Sequence, residues 1–269
     1  MKFQVVLNQL WALCRKDSTI WRSYRSGVMI SLLGVVFGLV AWAILGKYTN
    51  HPVPEYDTDY ISFLIIGILV FNFAVPLATG LQNRLNPWTI ETVFMSGLSM
   101  PVFVVGSLLW SFIFSTLAII PQLAIAVVWF GIVLNVNIVS ALLAFLISTV
   151  IILSLAMMDM GIRVVTKTQD PILWGIVIAQ GIASGQLYPV QSLNAYLQGA
   201  STLAFGIPFT WIYHLVRLSL LAGASLTDPS TAQAFLEGGV YTVVLFFVCY
   251  QIMAWGISRA KRDGTLGWY

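Results

Sequence analysis

Hydrophobic positions along this chain run in long blocks separated by short polar segments. The clearest block, Gly27 to Gly46, contains no charged residue. About 20 apolar residues in a helix cross the hydrocarbon core of a bilayer, and blocks near that size recur at 27–46, 60–82, 101–134, 138–161, 172–190 and 235–257. The pattern predicts an all-α integral membrane protein with six transmembrane helices, forming one domain over residues 1–269. Block 101–134 would reach about 50 Å as a continuous helix, so it tilts, kinks near Pro121 or protrudes, and Asn135 to Asn137 then makes a tight turn.

The segments between the blocks have patterns of their own. Over residues 3–25, Phe3, Leu7, Leu10, Cys14, Trp21 and Tyr24 recur at alternating spacings of three and four, interrupted at Asp17, while Asn8, Arg15 and Arg22 recur every seven on another face. This spacing predicts an amphipathic helix lying in the membrane interface, with Trp21 at headgroup level and Arg15 and Arg22 facing lipid phosphate or a partner. It is a lipid-surface anchor, or an anchor that also docks a cytoplasmic subunit. The stretch from Lys47 to Thr58, with Pro52, Pro54 and nearby acids, reads as a short linker that need have no function. In the segment 83–99, Asn86-Pro87-Trp88 makes a turn, and Pro87, Thr89 and Glu91 suit the first turn of a short helix on the cytoplasmic face, with a mere connector as the alternative.

Composition supports a membrane chain, with 59% hydrophobic and 9% charged residues and a mean hydropathy of +0.89, against about 25% charged in an average soluble domain. The net charge of +3 says less than its placement. With six spans, eleven of the thirteen basic residues fall on the N-terminal side of the membrane, including Arg84, Arg163, Lys167, Arg259, Lys261 and Arg262. Glu55, Asp57, Asp59, Asp228 and Glu237 collect on the other side. The positive-inside rule then places both termini in the cytoplasm of a multi-pass protein of the cell membrane.

One further apolar stretch, Leu203 to Gly223, competes as a span but contains His214 and Arg217. A full crossing there would send Arg259, Lys261 and Arg262 outside. A re-entrant helical hairpin within 191–223, before the last span, keeps the parity and explains Gly185 and Pro189 before it and Gly206, Pro208 and Gly223 along it. Irregular backbone at membrane depth is tolerated where protein or a water-filled cavity surrounds it, so the hairpin points to a pathway or a subunit interface. His214 and Arg217, three residues apart, share one face of its second arm, for a substrate or gating role or for anchoring at outer headgroups.

Familiar chemistry is sparse. There is no Gly-x-x-x-x-Gly-Lys-Ser/Thr loop, so the chain is not expected to hydrolyse ATP itself. His51, His214, Cys14 and Cys249 stand at no metal-ligand spacing, and two cysteines predict no disulfide framework. The first 26 residues are charged and amphipathic and predict no cleavable signal peptide. Asp159, near the end of its span, is a functional candidate as an intramembrane acid, or it reaches water or pairs with Arg163 four residues on. Trp110, Trp129, Trp174, Trp211, Trp255 and Trp268 read as interfacial anchors.

Three segments together resemble the permease subunits of type-two ATP-binding-cassette (ABC) exporters. Gln82-Asn83-Arg84 through Trp88-Thr89-Ile90-Glu91 to Ser96-Gly97-Leu98-Ser99 is similar to that family's cytoplasmic segment, in which Gly-Thr-Leu-Glu precedes Ser-Pro-Leu/Ile-Ser. Ser184-Gly185-Gln186-Leu187-Tyr188-Pro189, followed by Pro208-Phe209-Thr210 and Arg217, resembles its Ser-Gly-x-x-x-Pro re-entrant region. The tail Arg259 to Tyr269, with Gly264-Thr265-Leu266-Gly267-Trp268, resembles its basic ending. Trp88 stands in place of the family's glycine, Gly97 in place of a proline, and Asn194 where proline often follows leucine.

The resemblance implies a permease without catalytic residues, metal or cofactor of its own, driven by a separate ABC ATPase subunit that binds ATP and Mg, and paired with a second permease copy or paralogue. It implies that Asn83, Arg84, Trp88, Thr89 and Glu91 belong to the coupling helix that meets the ATPase. Pro189, His214 and Arg217 would belong to the re-entrant pathway region, and residues 3–25 would form the connecting helix. The substrate would be drug-like, a lipid or lipid-linked. The alternatives are a polysaccharide or glycolipid exporter, and outside transport a membrane scaffold or an intramembrane enzyme. An enzyme would need polar groups converging at one depth.

Overall fold

The computed structural model describes residues 3–49, 51–82, 100–166, 175, 180, 181 and 183–263. The expected coupling segment 83–99, with Asn83, Arg84, Trp88, Thr89 and Glu91, lies outside the described residues, as does most of the expected span 172–190.

The described chain is almost wholly helical. Helices α1 (Phe3–Ser23) and α2 (Arg25–Tyr48) are followed by a small hairpin, β1 (Pro52–Val53) and β2 (Thr58–Asp59), which encloses a 3-10 turn at Pro54–Tyr56. Then come α3 (Tyr60–Gln82), α4 (Met100–Phe130), α5 (Ile138–Thr166), a 3-10 turn at Val190–Ala195, the short α6 (Ala200–Ala204), α7 (Pro208–Leu220) and α8 (Pro229–Arg262). Within α3, α4, α5 and α8 lie the stretches Tyr60–Ala78, Val102–Phe130, Ile138–Thr166 and Pro229–Ala260, each long and apolar enough to cross a membrane. Helix α2, which carries the first expected span, contributes the shorter apolar run Leu33–Tyr48. An all-α membrane protein is the result.

Element ends follow local chemistry. Gly131 sits at φ 64°, a left-handed conformation that costs glycine nothing, and it terminates α4 four residues before the expected end of the block. Gly223, at φ 62°, turns the chain after α7. A Cβ there would come within 2.7 Å of the Asn135 side chain, so the position has no room for one. Helix α8 begins at Pro229, suited to a first helical turn, and with 34 residues it overruns the expected 235–257 at both ends.

Packing centres on α3, whose segment from Phe63 to Ile66 is almost fully buried. Helices α4, α5 and α7 pack around it, and α8 lies along α5. That last contact is unusually close: a Cβ on Gly161 would sit 2.6 Å from the Met253 Cα, and one on Gly256 would strike the Gly161 carbonyl. Small residues let membrane helices approach backbone to backbone.

Helix α1 packs against α4, where Leu10 and Leu13 face Gly106. Of the expected apolar stripe, Leu10 and Cys14 are partly covered, whereas Leu7 and Tyr24 point outward, as does Trp11. Arg15 and Arg22 are exposed, and Trp21 lies between them in the same helix. The stripe is divided because Leu13, which is not one of its members, shares the contact with α4.

Candidate functional site

The densest polar cluster in the described residues forms where the β1–β2 hairpin, the start of α3, the 184–188 segment and α7 meet. Proline sets its frame. Pro54 begins the 3-10 turn, Pro208 begins α7, and Pro189, with φ −60° and ψ 132°, caps the 3-10 turn after the 184–188 bend. Asp57 closes the hairpin in the left-handed region at φ 49°, a conformation that aspartate tolerates better than most residues. The hairpin thereby drives Tyr56 inward, where it is 2% exposed.

Arg217 is the centre. It is 1% exposed, and its guanidinium spends its donors on backbone: Nε donates to the Phe63 carbonyl at 3.2 Å, Nη1 to Gly185 at 2.5 Å and Nη2 to Gln186 at 2.7 Å. The Phe63 ring lies under it, 3.5 Å from guanidinium carbon to ring centroid, close enough for a cation–π attraction. Gly67 makes this approach possible, since a Cβ there would collide with the Arg217 guanidinium and the Gln186 carbonyl. Arg217 therefore does not snorkel to headgroups. Its planar fork matches two successive carbonyls on the 185–186 segment, a geometry that lysine cannot reproduce.

His214 stands one turn earlier on α7 and meets the hairpin. Its Nδ1 lies 2.9 Å from the Tyr56 hydroxyl and 3.8 Å from a Glu55 carboxylate oxygen. Burial lifts the Glu55 carboxyl above the ordinary carboxylate range, while Tyr56 and the Arg217 charge pull the other way. Burial likewise raises the Tyr56 phenol, which is held neutral. On the far side of Arg217, Tyr213 accepts a 2.6 Å hydrogen bond from Gln180, and the Tyr60 hydroxyl donates to Leu187 at 2.7 Å. The cluster thus ties the hairpin, α3 and the 180–187 segment to α7.

The two faces of α7 do different work. Tyr213, His214 and Arg217 face the polar cluster, whereas Ile212, Val216 and Leu220, four apart, line an apolar cavity of about 190 Å³ bounded also by α3, α4 and α5. Beyond its end, the backbone amides of Asn135 and Asn137 donate to Leu220 and Ser219. A second concavity of about 530 Å³ runs between α2 and α3, lined by Gly34, Gly38 and Trp42, by Ile68 and Asn72, and by Gln186 at the edge of the polar cluster.

Of the residues expected at the site, Pro189, His214 and Arg217 lie in or beside this region, while Arg15 and Arg22 belong to α1, a separate element. Asp159 is buried and lies 3.9 Å from Arg163. Trp211 is no surface anchor: it is 8% exposed and donates to the Phe205 carbonyl. The sequence pattern missed Glu55 and Tyr56, which looked like linker, and Gly67, hidden in an apolar run. The pair Glu55-Tyr56 directly after Pro52 and Pro54, followed by Asp57, Asp59 and Tyr60, was the available signal that the linker folds.

Among the described residues no group of three or more histidine, cysteine, aspartate or glutamate side chains could hold a metal ion. In comparisons with known proteins, no family model matches the chain, and no curated protein or solved structure matches it either.

Proposed function

We propose that the chain is the permease subunit of an ATP-driven exporter of the type-two ABC class, moving a drug-like, lipid or lipid-linked substrate outward. It works with a separate ATPase subunit that supplies ATP and Mg chemistry, and with a second permease copy. In this reading the chain has six spans in the cell membrane, with 172–190 as the fifth. Both termini are cytoplasmic, and residues 191–223 re-enter from the outer side.

The observation that carries the reading is the groove of about 530 Å³ between α2, α3 and the 181–187 segment. It is lined mainly by apolar side chains, with Asn72 and Gln186 as polar points, a surface suited to an amphiphile. At one end it meets the segment that Arg217 holds. Helix α7 supports the re-entrant reading, because its 13 residues span about 20 Å, short of the roughly 30 Å hydrocarbon core.

The test is assembly and transport. The chain should co-purify with an ATPase that carries a nucleotide-binding loop and is encoded beside it, and it should stimulate that ATPase. Gly38 has open space beyond its Cα, so Gly38→Leu should fill the groove and block transport without dissociating the complex. Failure of every candidate ATPase to associate would remove the exporter reading. Single cysteines at Ser201 and Ser225, with Cys14 and Cys249 replaced, should react with an impermeant thiol reagent from outside, and one at Ser258 only after permeabilisation.

A second reading has one observation in its favour. Glu55, Tyr56, His214 and Arg217 gather in one cluster, and an intramembrane enzyme would require polar groups that converge. The Tyr56 hydroxyl is engaged with His214 and the guanidinium with three carbonyls, so the groups hold each other rather than a reactant.

A further inference from the structure

The apolar cavity behind α7 has no part in the groove or the polar cluster. Its lining comes from four helices, with Phe73 on α3, Leu123 on α4, Phe145 and Ser148 on α5, and Ile212 and Val216 on α7. Its volume is about 190 Å³. An apolar cavity of about 150 Å³ stays dry and takes up benzene, so this one has room for a single ring with a small substituent.

The lining has one polar atom of note. Ser148 is 3% exposed and its hydroxyl has no hydrogen-bond partner. Its neighbours behave differently: on the same helix Thr149 donates to the Phe145 carbonyl at 2.8 Å and Ser154 to the Val150 carbonyl at 2.7 Å, each four residues back. A buried hydroxyl without a partner is costly, and a ligand bearing one hydrogen-bonding atom would relieve that cost. The remaining wall offers ring edges. Phe73 and Phe145 pack with centroids 5.4 Å apart and tilted by 44°, and Phe112 lies against both.

We propose that this cavity is a binding site for a compact, single-ring aromatic molecule of the phenol class, entering from the membrane phase, with its polar atom on the Ser148 hydroxyl and its ring against Phe73 and Phe145. The site lies within one protomer and does not depend on the exporter reading. A longer acyl chain fits the volume poorly, and a charged ligand would find no counter-ion among the lining residues.

The experiment uses the purified full-length chain in lipid nanodiscs, with 4-fluorophenol and fluorobenzene as probes followed by fluorine NMR. Saturable binding of both is expected above their partition into lipid. Ser148→Ala, which removes only an unpartnered hydroxyl and should leave thermal stability intact, should weaken 4-fluorophenol about threefold to tenfold and leave fluorobenzene unchanged. Ala141→Phe, or Ser148→Leu should the former fail to fold, fills the space and should abolish saturable binding of both. The proposal is overturned by absence of saturable binding, by binding that survives the filling variants, or by a Ser148→Ala effect that is equal for the two probes.

Discussion

Replacing Arg217 with methionine tests the polar cluster most directly, because the side chain keeps its length and loses its charge and every donor. Three hydrogen bonds from a charged group disappear, each contributing about 1.5–3 kcal/mol, together with a cation–π contact at 3.5 Å of about 2 kcal/mol. The desolvation of a buried guanidinium, several kcal/mol, is recovered at the same time. What remains is the cost of the abandoned acceptors. The Phe63 carbonyl lies inside α3 and keeps its helical partner, but the buried Gly185 and Gln186 lose theirs, at about 1–3 kcal/mol each. The expected net loss is about 2–5 kcal/mol, or roughly 5–15 °C in Tm for a chain of this size. Arg217→Lys should fall between, since an ammonium retains charge without the fork. Thermal unfolding in detergent gives the magnitude, and Ser184→Cys locates it: Ser184 is 0% exposed, so the thiol should be protected in the parent and reactive once the 185–186 segment is released. Equal Tm and equal protection with methionine at 217 would refute the account of Arg217 as the tie between that segment and α7.

Gly67→Ala should destabilise by a comparable amount, because its methyl group displaces the guanidinium and the Gln186 carbonyl; added to Arg217→Met it should cost much less, and full additivity in a double-mutant cycle would show that the two positions are not in contact. Glu55→Gln follows from the raised carboxyl: the folded state holds a proton that the unfolded state has lost, so ionisation lowers stability as pH rises from the ordinary glutamate range to the folded value, and the penalty is fully present above it. The variant should therefore match or exceed the parent Tm at pH 7 and lose any advantage at acid pH, and a clear drop at pH 7 would mean that attraction to Arg217 and His214 outweighs burial. Gly256→Val should separate α5 from α8 and lower Tm by several degrees, whereas Gly239→Val, on the same helix with open space around it, should have little effect; equal responses would deny the close crossing.

The long helices were legible because their signal is additive: twenty apolar residues in a row state their environment without any tertiary information, and α3, α5 and α8 include the blocks that announced them, while α4 covers all but the last four residues of its block. Their ends were less so, since Gly131 stops α4 inside an apolar run, where hydropathy does not change. The site divides along the same line. His214 and Arg217 stood out because ionisable groups in an apolar stretch are expensive, and expense can be read from one segment alone. Their partners could not be read, because a backbone carbonyl has no letter in the sequence: the acceptors at Phe63, Gly185 and Gln186 exist for Arg217 only once α3 and the 180–187 segment meet α7. The same reason hid Gly67, whose value lies in the Cβ it lacks opposite a residue 150 positions away. Arginine in a membrane-facing helix is expected to seek phosphate or water; here the fold brings three carbonyls and a phenylalanine ring to it, which turns the most costly residue of α7 into the one that holds α3 and the 185–186 segment to that helix.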